Sequence, residues 1–110
     1  MRQIVTRVLG VSKRNSDGTS RQNALKKLAA PGGAVILNHV QSEEGDLNTI
    51  EVLLPGSEGR RPCRVGFLPG RIGDKLVHHI DANRPLTATI SSLAAVENPP
   101  HTSLHIKILY

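Results

Sequence analysis

One polar stretch sets two cations side by side: Ser12-Lys13-Arg14-Asn15-Ser16-Asp17-Gly18, whose Asp-Gly pair has turn chemistry and makes it an exposed loop. The chain carries 14 Lys+Arg against 9 Asp+Glu, a formal net charge of +5, so grouped cations of this kind suit phosphates. Other reactive residue types lack the spacing their chemistry needs. His78 and His79 are adjacent on a helix and diverge, and His39, His101 and His105 form no two-plus-two ligand pattern with Cys63, so no metal is expected. No motif sets a base beside Cys63, the single cysteine, and it allows no intramolecular disulfide. Glu43, Glu44 and Asp46 resemble a magnesium cluster but read as solvated acids of one loop, and Gly32-Gly33 lacks the Lys and the following helix of a phosphate-cradling loop. Neither a cofactor nor catalysis is expected.

The elements that position these residues follow from periodicity. Ile4 to Val11 is rich in β-branched residues and suits a strand that bends or ends at Gly10-Val11. Thr19 and Gln22 have capping-box spacing, and Ala24, Leu25, Leu28 and Ala29 form the apolar stripe of a helix stopped by Pro31-Gly32-Gly33. Arg21 points the same way as Leu25 and Leu28; this inward cation needs a partner, for which Asp17, a free carbonyl at a sheet edge and a bound phosphate are the candidates. Lys26 and Lys27 point outward. Residues 34–40 and 48–54 read as a hairpin, and Arg60, Arg61 and Arg64 lead into a strand around Cys63, Val65 and Phe67. Pro69-Gly70 ends that strand; Ile72, Leu76, Val77 and Ile80 then recur at helical spacing until Asn83 and Pro85 close the helix. Residues 86–93 alternate as a strand with one wet face, 97–101 read as a loop, and 103–110 form the last strand.

The sum is a mainly β chain of 110 residues, one domain over 1–110, with six strands and two short α-helices. Short strands with one polar face suggest a small closed or nearly closed barrel, OB-like or SH3-like, because closure removes exposed edges. Its core must be aliphatic, since Phe67 and Tyr110 are the only aromatic residues, and binding by several stacked rings is unsupported. The lone cysteine, the absence of an apolar leader and the absence of any apolar run near ~20 residues point to the cytosol or nucleus, with a cytoplasmic location and no membrane as the expectation.

Several stretches together resemble the HIRAN domain. They are Gly10-Val11 at the end of the first strand, residues 17–22 (Asp-Gly-Thr-Ser-Arg-Gln) opening the first helix, residues 46–52 (Asp-Leu-Asn-Thr-Ile-Glu-Val) in place of the family's Asp-x-Asn-Ala-Ile-x-Val, and residues 65–69 (Val-Gly-Phe-Leu-Pro) before the second helix. Their order and spacing cover nearly the whole chain. The resemblance implies a six-strand OB-like barrel with two helices that binds single-stranded DNA by capturing a free 3′ end, as an accessory in DNA processing or repair. Asp46 matches the acceptor of the terminal hydroxyl, Arg71 lies near a cationic turn, Lys13 and Arg14 would hold phosphates, and Phe67 could offer one stacking surface. Lys13 and Gly45 stand where stacking tyrosines would be and Glu43 replaces an Asn, which implies weaker, mainly electrostatic binding. The alternative on the same barrel is a protein-interaction module, its partner a DNA-processing protein, that has lost DNA binding.

Overall fold

Leu104, Ile106 and Ile108 alternate with His105 and Lys107, and in an extended chain that alternation sends the three aliphatic side chains to one face. The computed structural model, which describes residues 1–41 and 47–110, buries all three completely, at the centre of an aliphatic core with Ile50, Val52, Leu54, Val65 and Leu76. The elements are β1 (Gln3–Arg7), α1 (Arg21–Leu28), β2 (Ile36–Val40), β3 (Thr49–Leu54), β4 (Cys63–Phe67), α2 (Gly70–Asp81), β5 (Thr87–Glu97) and β6 (Pro100–Leu109). They form two antiparallel three-stranded sheets, β1-β6-β5 and β2-β3-β4. Among the described residues the expected barrel is not one continuous ladder. The sheets meet at two seams, each marked by an isolated bridge: Leu9 with Phe67, and Ala34 with Thr89. At the first seam Leu9 and Phe67 exchange both backbone bonds (2.8 and 2.9 Å), after which Gly10, at φ +77°, turns the chain away.

Local chemistry moves several boundaries. Helix α1 is capped by Ser20, whose hydroxyl accepts from the Asn23 amide at 3.1 Å, and not by the expected Thr19-Gln22 box. Thr19 is instead held by Asp17, and the Gln22 side chain ties α1 to the rest of the fold through the carbonyls of Val11 and Thr102 and the Thr102 amide. The hairpin of β5 and β6 runs well past the expected ends, to a pair between Glu97 and Pro100, so most of the expected 97–101 loop is strand with a two-residue turn. Pro100 opens its strand, where a missing N–H is tolerated. Asn83 has the expected left-handed conformation (φ 53°) after α2. Among the described residues no helix is long and apolar enough to cross a membrane.

His39 fastens β2 to the end of α2 and to the entry of β3. Its Nδ1 lies 2.9 Å from Asp81 Oδ1 and its Nε2 faces the Leu47 carbonyl. Both partners only accept, so the doubly protonated ring is favoured, and the Leu47 carbonyl followed by the Asp81 carboxylate raises the His39 pKa above its ordinary 6.5. A folded value above the unfolded one gives stability that is fully present below about pH 6.5 and is lost as pH rises through the raised value. Chemical denaturation of the parent should therefore show this contribution fading above pH 6.5, and His39→Ala should remove that part of the pH dependence. An identical pH profile in the variant would exclude the clamp.

Candidate functional site

The loop from Gly10 to Ser20 carries two of the expected phosphate-binding cations, and its own hydrogen bonds shape it. Arg14 pairs with Ser20 in a bridge and donates from Nη1 to the Gly18 carbonyl at 3.0 Å. Asp17 Oδ1 accepts from the Thr19 amide (2.9 Å) and hydroxyl (2.6 Å), and these bonds hold its carboxyl below the usual carboxylate range. Asn15 crosses to the second sheet, donating from Nδ2 to the Arg64 carbonyl at 3.0 Å.

Arg21 closes the arrangement from inside. It is 6% exposed, donates from Nε to Asn15 Oδ1 and from Nη1 to the Gly10 carbonyl, both at 2.8 Å, and its guanidinium lies 5.3 Å from the centre of the Phe67 ring. Of the expected partners it takes the carbonyl at the strand end, while Asp17 goes to Thr19. Burial first, and the nearby Arg64 second, lower its pKa, so its environment favours charge less than water does. The Arg64 guanidinium lies 5.0 Å from the same ring and its Nε donates at 2.7 Å to Glu51, a carboxylate on a residue only 7% exposed that also accepts from Asn38 at 3.0 Å. Phe67 is thus half-buried with two guanidinium groups within cation–π range.

Of these residues Gly10, Arg14, Arg21, Arg64 and Phe67 line an open groove of about 890 Å³. Among the described residues Lys13, Arg14, Arg21 and Arg64 bring four cations to it and Asp74 one carboxylate; Asp74 accepts from Asn48 at 3.0 Å, joining the start of α2 to the entry of β3. Three of the residues named from sequence, Lys13, Arg14 and Phe67, are therefore brought together. Arg71 is exposed one residue beyond Gly70, which lines the groove, but does not line it itself. Asp46, with Glu43, Glu44 and Gly45, lies outside the described residues. Arg64 and Asn15 were not singled out from sequence. Among the described residues no three His, Cys, Asp or Glu side chains are grouped as a metal would require, and burial raises the pKa of Cys63, which disfavours its thiolate.

No known family profile matches the sequence, and no curated protein matches it. In three dimensions the chain has a HIRAN-like fold. It is similar to the crystal structure of the HIRAN domain of human HLTF, with a TM-score of 0.63 at 16% identity over 96% of this chain and 74% of that one. It is equally similar to a structural-genomics crystal structure of a protein from Lactobacillus plantarum, with a TM-score of 0.62 at 14% identity over 99% of this chain and all of the other.

Proposed function

We propose that this HIRAN-like chain is a nucleic-acid-binding module, with the two sheets and their seams read as a small OB-like barrel and the groove beneath the Gly10–Ser20 loop as its site. The observation that carries the reading is the convergence of Lys13, Arg14, Arg21 and Arg64 around the Phe67 ring. Arg21 and Arg64 are held by Asn15, Gly10 and Glu51, Arg64 with its charge matched by the Glu51 carboxylate, and form a fixed floor; Lys13 and Arg14 are exposed, and Arg14, which gives Nη1 to the Gly18 carbonyl, keeps its other donors for phosphates. One ring can stack one base, so affinity comes mainly from charge and the favoured ligand is single-stranded DNA, whose bases are open to Phe67. We place it as an accessory in DNA processing or repair.

Fluorescence anisotropy with single-stranded DNA across a salt series tests this. Each neutralised phosphate contributes roughly −0.7 to the log–log slope for single strands, so Lys13→Ala with Arg14→Ala should make the slope shallower by about one to two units. An unchanged slope removes the loop from the site, and absence of binding at low salt favours the protein-interaction module instead. The same titration with strands ending in 3′-hydroxyl or 3′-phosphate tests end capture, in which Asp46 accepts from the terminal hydroxyl and repels a terminal phosphate.

A further inference from the structure

The Gly10–Ser20 loop does not border one groove only. Arg14, Ser16 and Arg64 line a second groove of about 910 Å³, formed with α1 and the segment 56–62. Besides Arg14 and Arg64, Lys27, Arg60 and Arg61 line it, making, among the described residues, five cations against the two carboxylates of Asp17 and Glu51. Both carboxylates are already engaged, Asp17 by the amide and hydroxyl of Thr19 and Glu51 by Arg64 and Asn38. Lys27, Arg60 and Arg61 are exposed and form no ion pair with another described residue. The segment that carries the two arginines is folded tightly on itself: a Cβ on Gly56 would overlap the Arg60 and Arg61 carbonyls. No aromatic ring lines this groove.

We infer that the second groove is a continuation of the first and takes the phosphates of the adjoining stretch of the same single strand, which crosses the ridge of Arg14 and Arg64. The inference rests on the nucleic-acid reading of the first groove. A strand backbone carries a charge at every nucleotide, which matches cations disposed on both sides of a shared ridge, and a groove without rings contacts that backbone without stacking bases. The first groove reads with Phe67 and charge; the second adds charge alone.

The test compares oligothymidylates of about four and about twelve nucleotides, two lengths within the range of site sizes found for OB-type folds, by anisotropy over a salt series. The parent should bind the longer strand more tightly and with a salt slope steeper by about two units, three contacts at roughly 0.7 each. In the exposed-residue variant Lys27→Ala/Arg60→Ala/Arg61→Ala the longer strand should lose that extra slope and at least tenfold in affinity at low salt, with the short strand unchanged. Equal slopes for both lengths in the parent, or a variant that keeps the long strand's advantage, would overturn the continuation while leaving the first groove standing. Failure of the parent to bind either length would overturn both readings.

Discussion

Arg21→Ala is expected to destabilise the fold by roughly 2–4 kcal/mol, because it strips the charged donor from Asn15 Oδ1 and from the Gly10 carbonyl, which keeps only the weaker bond from the Lys13 amide at 3.1 Å. Two effects oppose the loss: a buried cation is removed, and its repulsion by Arg64 goes with it. The hydrogen bonds win, since arginine keeps its proton at any working pH and both bonds are charge-assisted at 2.8 Å. For a domain near 100 residues the melting temperature should fall by roughly 10 °C or more. Arg21→Met separates packing from hydrogen bonding, since Met fills much of the volume without any donor. It should melt nearly as low as the alanine variant; a Met variant at or above the parent would mean that relief of charge burial dominates. The consequence reaches the groove, because the Asn15 side chain then has only Thr19 beside it to hold it under the Arg64 carbonyl, and the cationic loop is less fixed.

How far the site could be read from sequence depends on parity along β4. Helical spacing alone placed Arg21 inward, and polar loop chemistry alone placed Lys13 and Arg14 at the surface, because both depend on neighbours within one turn. Arg64 was hidden. In a regular strand residues 64 and 67 face opposite sides, yet the pairing of β3 with β4 slips between Val52 and Leu53, so that Val65 and Gly66 are buried in succession and Arg64 and Phe67 share the outer face. A period of two cannot reveal a bulge of one residue. The far end of the β5–β6 hairpin was hidden for a different reason: residues 94–97 are all exposed, so no alternation marks them, and only pairing with β6 makes them strand. The six strands and two helices were legible because the core is aliphatic and each element shows its buried face, and the turn at Gly10 was legible from its residue type; the division into two sheets depends on which strands pair across the seams, and no local pattern carries that.

Gly66→Ala should have the larger effect on the seam itself. Gly66 lies opposite Val52 in the ladder and directly beneath the end of the first strand; a Cβ there would overlap the Leu9 carbonyl oxygen and come within 2.6 Å of Val8 Cγ1. Leu9 cannot yield, because its carbonyl accepts from the Phe67 amide at 2.9 Å and its amide donates to the Phe67 carbonyl at 2.8 Å. The added methyl must therefore break the bridge or push β4 out of the core, where Val65 is fully buried. Overpacking of this kind costs about 1–3 kcal/mol when side chains can adjust and more when backbone is struck, so a loss of 3 kcal/mol or more is expected, measured by urea denaturation. The nature of the obstacle is testable by adding Val8→Ala. If the side-chain contact were limiting, the smaller residue would make room and the double variant would be more stable than Gly66→Ala alone. The backbone contact predicts no recovery, and a further loss from the emptied Val8 site. A double variant that regains the parent's midpoint would show that the seam tolerates a side chain and that the glycine is not what lets the two sheets meet at Phe67.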